Sequence, residues 1–177
     1  MHEIPVAVAL LVAAAAAVAA LAVRRCGFGV TSVTSTSMLP ALRPGDRRLV
    51  LRSTLASLRR GDVVVAWSRE LGTDVVKRVV GLPGDVVTIH HDGTVAIDGA
   101  SLPEPYVAFA GGRAGRFHVP TGAVLLLGDN RVASSDSRHW RDPYLTETAL
   151  RGRLVRRPSR CRAPSAGDAP RPSAPRP

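Results

Sequence analysis

"GDVVVAWSRELGTDVVKRVVGLPGD", residues 61–85, holds two short valine-rich runs separated by a polar, glycine-containing turn. Runs of this length, bounded by Gly, Asp and Pro, predict β-strands over Asp62 to Trp67 and Val75 to Val80 rather than helices. In extended chain Val75, Lys77 and Val79 share one face, and Val76, Arg78 and Val80 the other. Outward from this pair the same pattern recurs, with candidate strands at Arg48 to Arg52, Val86 to His90, Thr94 to Asp98, Arg116 to Val119, Val124 to Leu127 and near Leu154. "HHDGTVAIDG", residues 90–99, supplies two turn signals, Asp92-Gly93 and Asp98-Gly99, around one short strand. Helical period is scarce, with Ser53 to Arg59 the best short case. The chain therefore reads as an antiparallel, mostly β domain without internal repeats.

The 177 residues leave room for one such domain with attachments at its ends. Residues 4–23, IPVAVALLVAAAAAVAALAV, are uncharged and almost wholly apolar. At about 1.5 Å per residue, a helix of that length crosses a hydrocarbon core of roughly 30 Å. A cleaved secretory signal is the competing reading. Glu3 with no Lys or Arg before the span, and an apolar run longer than a usual signal core, favour a transmembrane anchor. Arg24 and Arg25 directly after it would by themselves place the following domain in the cytoplasm. Three segments are thus expected: an anchor at 4–23, a folded domain at 30–157, and a disordered Pro/Arg-rich tail at 158–177.

The formal charge of +10 suggests nucleic acid until its distribution is read. Residues 151–177 carry eight arginines against one acid, Asp168, so most of the excess lies in the tail and the folded part is near balance. The two cysteines, Cys26 and Cys161, sit at opposite ends and offer neither a zinc spacing nor a disulfide framework.

Lys77 is the single lysine in a chain that otherwise uses arginine for its positive charge. With valines on its own face its ammonium is disfavoured, and burial lowers a lysine pKa from about 10.4 by roughly 3 to 5 pH units. Arginine stays protonated in such a place, so a neutral amine acting as general base has to be lysine. A nucleophile for that base is available in "SVTSTSMLPALRPGD", residues 32–46, where hydroxyls crowd the chain before the turn Pro44-Gly45-Asp46. A third stretch, "LLLGDNRVASSDSRHW", residues 125–140, runs from an apolar strand into a dense polar loop in which Asp129, Asn130, Arg131, Asp136 and Arg138 can pair with one another or with backbone.

Together these stretches resemble the type I signal peptidases, the Ser-Lys membrane proteases. The blocks that carry the resemblance are "SMLP" from Ser37, "GDVVV" from Gly61, "KRVVGLPGD" from Lys77 and "GDNRVASSDSR" from Gly128, in that order behind one apolar span. The resemblance implies a β-barrel-like, Greek-key catalytic domain with one N-terminal transmembrane helix. It implies Ser37 as nucleophile and neutral Lys77 as base, with the Ser37 N–H and the Ser35 hydroxyl forming the oxyanion hole. It further implies that Ser134 orients the lysine, that Asp136 and Arg138 form a supporting ion pair, and that Asp129 and Asn130 belong to the same structural loop. No cofactor or metal is implied. The partners would be preprotein signal peptides with an Ala-x-Ala junction and membrane lipid, without nucleic acid. The expected form is a monomer in the plasma membrane with its catalytic domain on the extracytoplasmic side, a topology taken from the family against the hint of Arg24 and Arg25.

Two departures stand out: Arg141 follows Trp140 where a glycine is common, and the roughly 50 residues between Asp85 and Ser134 point to a compact version without a large inserted β domain. Only 13 residues separate Val23 from Ser37, at most about 45 to 50 Å of extended chain, which would keep Ser37 near the bilayer. Other classes fit less well. A Ser-His-Asp hydrolase lacks a Gly-x-Ser-x-Gly, and His90-His91 falls at a predicted hairpin turn. A self-cleaving Ser-Lys repressor would carry a helix-turn-helix where the apolar span lies. Two alternatives remain: a maturation protease for one client, or a non-enzymatic anchored β domain whose basic tail binds lipid or nucleic acid.

Overall fold

The computed structural model describes residues 8, 10–15, 17–18 and 27–155. Eleven strands occur among them: β1 Phe28–Ser32, β2 Arg47–Leu51, β3 Val63–Ser68, β4 Thr73–Gly81, β5 Val86–Ile89, β6 Val95–Ile97, β7 Ala100–Ser101, β8 Gly115–His118, β9 Ala123–Leu127, β10 Tyr144–Thr146 and β11 Leu150–Leu154. They form a seven-stranded sheet in the order β1-β2-β11-β3-β4-β9-β10 and a four-stranded sheet in the order β7-β6-β5-β8. All pairings between strands are antiparallel.

The large sheet is buried on both faces at its centre, which is why β3 and β4 read as nearly continuous apolar runs. Val64, Ala66 and Val79 pack with Val124, Leu126 and Leu145. Val65 packs on the other side with Val33, Met38, Leu42, Val50 and Leu154, with Val76 against that cluster. The β3–β4 ladder sets Val64 opposite Lys77 and Val63 opposite Arg78. A third cluster, Val80, Val87, Ile89, Val95, Val119, Leu125 and Leu127, joins β4 and β9 to the small sheet.

The expected closure into a barrel does not occur. β1 and β10 lie at opposite ends of the seven-stranded order and do not pair, and a sheet without that last ladder stays open. Three strands were absent from the sequence reading: β1, β7 and β10. The helical stretch expected at Ser53 to Arg59 shortens to one 3-10 turn, Leu55–Ser57, with Thr54 and Ser57 closing a capping box.

Residues 8, 10–15 and 17–18 are helical, and the side chains of Val8, Leu10, Leu11, Val12 and Val18 are exposed. No helix among the described residues is long and apolar enough to cross a membrane. Much of the proposed 4–23 anchor, and the whole tail proposed at 158–177, lie outside the described residues.

Candidate active site

The three chemistry-bearing stretches converge at β4. Ser35, Ser37, Met38 and Lys77 line one cleft of about 290 Å³, with Val33, Val65, Val76 and Ala133 among its other walls. Ser37 lies in the connection between β1 and β2. That connection is tied at its base by Val33 N–H to Asp46 O (2.8 Å) and Gly45 N–H to Val33 O (2.8 Å). Gly45 turns the chain there with φ +89°, a conformation glycine adopts without penalty. The neighbouring Met38 side chain is 1% exposed, so it anchors the serine loop in the core while the hydroxyl faces the cleft.

Ser37 Oγ and Ser35 Oγ are 3.1 Å apart and hydrogen-bonded. The Ser37 N–H has no protein acceptor among the described residues. Two donors are therefore available beside the hydroxyl that sequence reasoning names as nucleophile. Lys77 is 4% exposed, flanked on its face by buried Val75 and Val79, and its Nζ donates to Ser134 Oγ at 3.1 Å. Burial, aided by the Arg138 charge and opposed by those of Asp136 and Asp129, brings its pKa down to about 8.

The loop after β9 supports both serines. Asp136 and Arg138, wholly buried, form a two-pronged ion pair with Nε–Oδ1 at 2.8 Å and Nη2–Oδ2 at 2.9 Å. Burial works against the Asp136 carboxylate, but the bonds from Arg138 and from the Gly128 N–H hold its pKa below the ordinary value. Arg138 also donates to the carbonyls of Arg131 (2.7 Å) and Gly111 (3.1 Å). Asn130 binds the Ser37 loop directly, its N–H donating to Ser37 O at 3.0 Å and its side-chain amide to Thr36 O at 3.3 Å.

Gly128 is the point of closest approach. A Cβ placed there would lie 2.2 Å from Ser134 Oγ and 2.6 Å from Ser37 O, so only glycine lets the two serine segments meet across it. Asp129 does not pair within its own loop. It receives Arg78 from β4 through Nε–Oδ1 at 2.7 Å and Nη2–Oδ2 at 2.6 Å. Burial pushes the Asp129 carboxyl up, whereas its two bonds hold the Arg78 guanidinium above its ordinary value despite burial. Of the expected site residues, Ser35, Ser37 and Lys77 line this cleft, Ser134 and Asn130 bond directly to Lys77 and Ser37, the Asp136–Arg138 pair stands behind them through Gly128, and Asp129 turns to Arg78. Arg78, Gly128, Glu104 and Tyr106 are additions from the structure. The first two lie inside quoted motifs, but Glu104 and Tyr106 sit in a connection with no sequence signal to mark them.

Among the described residues no group of His, Cys, Asp and Glu is arranged to hold a metal ion. A second cleft of about 320 Å³, lined by Trp67, Trp140 and Tyr144 among others, includes neither Ser37 nor Lys77.

Comparison with known proteins agrees with this geometry. The pattern of the family described as "Signal peptidase, peptidase S26" matches residues 6–157. The chain is 36% identical over 137 residues to signal peptidase I of Bacillus licheniformis, covering 70% of this chain and 73% of that protein. It is 35% identical over 149 residues to signal peptidase I of Leptolyngbya laminosa, covering 78% and 72%. The crystal structure of a signal peptidase I from Enterococcus faecalis V583 superimposes with a TM-score of 0.50 at 30% identity, over 56% of this chain and 97% of that one. With an antiparallel β fold, a buried lysine beside a serine cleft and a match across most of its length, the chain belongs to the signal peptidase family, peptidase S26, and is a serine protease.

Proposed function

We propose that this protein is a membrane-anchored endopeptidase that removes signal peptides from translocated preproteins with a Ser37–Lys77 dyad, cutting after small residues of Ala-x-Ala type. The observation that carries this reading is the buried amine of Lys77 in the same cleft as Ser37, with its pKa brought down to about 8. At pH 7 about one molecule in ten then holds the amine neutral, against roughly one in several thousand for an unperturbed lysine.

Neutral Lys77 takes the Ser37 proton as Oγ attacks the scissile carbonyl. The oxyanion is received by the Ser37 N–H and the Ser35 hydroxyl, and loss of one such donor costs about 10² to 10³ in rate. The lysine returns the proton to the leaving amine. An ester between Ser37 and the signal peptide remains, and Lys77 next activates the water that hydrolyses it. Ser134 accepts a hydrogen bond from Nζ and fixes where the amine points. The apolar and small side chains of Val33, Val65, Val76 and Ala133 in the cleft wall suit small substrate side chains. Residues 4–23 serve as the single anchor in the plasma membrane, residues 30–157 as the catalytic domain on the extracytoplasmic side, and residues 158–177 as a basic tail. The enzyme works as a monomer against lipid.

The test is cleavage of a preprotein bearing an Ala-x-Ala junction by detergent-solubilised protein, compared with Ser37→Ala, Lys77→Ala and Lys77→Arg. All three variants are expected to be inactive at neutral pH. Lys77→Arg is the sharpest, because it keeps charge and approximate length but not a neutral amine, and full activity in it would overturn the general-base role.

A further inference from the structure

The connection between β7 and β8 belongs to none of the four sequence blocks, yet its Glu104 and Tyr106 meet Arg131 and Arg78, two of the arginines that brace the catalytic loop. Within it, Val107 N–H donates to Glu104 O at 3.0 Å, a turn with Pro105 at the position where its fixed φ is favourable. The turn brings its two polar side chains together, and the Tyr106 hydroxyl donates to Glu104 Oε1 at 2.7 Å. Burial and this bond to Glu104 push the phenol's pKa up, so the hydroxyl stays a donor. The same carboxylate oxygen accepts Arg131 Nη2 at 2.6 Å, with the Arg131 side chain 0% and the Glu104 side chain 7% exposed. On its other side the Tyr106 ring lies 3.9 Å from the Arg78 guanidinium, in cation–π contact.

These contacts close into a ring. From Asp129 the path runs to Arg78, across the Tyr106 ring to Glu104, on to Arg131, and from Arg131 Nε to Gly128 O at 3.0 Å. Gly128 and Asp129 are adjacent in the chain, so the ring grips the backbone at the point where Ser37 and Ser134 approach each other. Arg131 also donates to Gly93 O at 3.1 Å in the β5–β6 turn, which ties the small sheet to the same point.

We propose that Glu104 and Tyr106 are positioning residues for the Ser37–Lys77 reaction, holding residues 128–129 in place through Arg131 and Arg78. This rests on the dyad reading above. Without Glu104 the buried Arg131 loses its one ion pair among the described residues, the nearby Asp129 being bonded to Arg78, and an under-compensated buried charge is strongly destabilising where it stands. Its bond to Gly128 O is then lost. At Gly128 the clearance to Ser134 and Ser37 is less than one methyl group, so a shift of about 1 Å there reaches both serines. Misplacement of that size costs up to about 10²-fold in rate.

The experiment measures kcat and KM for preprotein cleavage by full-length protein in detergent, below the unfolding transition of every variant. Glu104→Ala and Tyr106→Leu are expected to lower kcat about 10- to 100-fold and leave KM within about twofold. Tyr106→Phe keeps the ring face on Arg78, and Glu104→Gln keeps an acceptor for Arg131, so both should recover most of the loss. Ile89→Val, a cavity in the small-sheet core at a residue that makes none of the ring's contacts, serves as a control that lowers Tm without lowering kcat. If Glu104→Ala does not fold, Tyr106→Leu and Glu104→Gln decide the matter. Wild-type kcat in folded Glu104→Ala or Tyr106→Leu, or an equal kcat loss in Ile89→Val, overturns the positioning role. Ser37→Ala is run in parallel: retained cleavage there would overturn the dyad and the positioning role with it, whereas an inactive Ser37→Ala beside unaffected ring variants overturns only the latter.

Discussion

Replacing Lys77 with methionine should abolish proteolysis and stabilise the fold at neutral pH. The lysine is 4% exposed, and its pKa in the folded protein is about 8 against an ordinary value of 10.5. Between these two values the unfolded chain holds a proton that the folded chain does not, so stability rises with pH across that window. Below about pH 8 both states are protonated, and the fold carries the full cost of a buried ammonium. The difference of about 2.5 pH units, at 1.36 kcal/mol each, sets that cost on the order of 3 kcal/mol. Methionine has similar length and no charge. The stability advantage of Lys77→Met over wild type should therefore grow by about 3 kcal/mol as pH falls from about 10.5 to below 8. Urea unfolding of both proteins in the same detergent, followed by the fluorescence of buried Trp140, measures it at each pH. Other titrating groups are common to both proteins and drop out of the difference. A difference that stays constant with pH would show that Lys77 is not depressed by its surroundings, and the physical basis of the general-base assignment would be lost.

For wild type, kcat/KM should rise about tenfold per pH unit below neutrality and level off near pH 8, where Lys77 loses its proton; a profile flat from pH 6 to 9 would exclude this lysine as base. Gly128→Ala should cost at least about 10²-fold in kcat, because its methyl would meet Ser37 O, a backbone atom, at 2.6 Å; retention of activity in a steady-state cleavage assay would contradict that approach. Asp136→Asn leaves Arg138 buried and unpaired and should destabilise the fold by about 3 to 5 kcal/mol at pH 7. Since the Asp136 pKa is held below its ordinary 3.8, this penalty is fully present above about pH 4 and shrinks as pH falls through the lower folded value, which acid-to-neutral urea titrations would reveal.

The centre of the sheet was legible in the sequence because β3, β4 and β9 are buried on both faces and read as unbroken apolar runs. β1 was not, because Phe28 and Val30 are 48% and 62% exposed on an edge strand, so their spacing has no buried face to report. β10 is three residues long after Pro143 and exists through its pairing with β9. The expected barrel failed for a related reason: closure depends on whether two edges meet, which no local pattern encodes. In the site, the Asp136–Arg138 pair is two residues apart and could be read directly. Arg78 finds Asp129 fifty-one residues later, and Glu104 finds Arg131 across twenty-seven. Such pairings are decided by which loops the topology stacks together, so the sequence offered charges without partners.

The Ser37 connection belongs to the β1–β2 ribbon, Lys77 to the β3–β4 hairpin, and the strand that joins the two within the sheet is β11, the last one in chain order. Without residues 150–154 between β2 and β3, the Ser37 and Lys77 segments share no ladder. Without β11 the two segments meet only through loop and core contacts, such as Asn130 N–H to Ser37 O and Val33 and Met38 against Val65. Pairing of β11 with both neighbours is thus what sets the Ser37 and Lys77 segments in register with each other within the sheet.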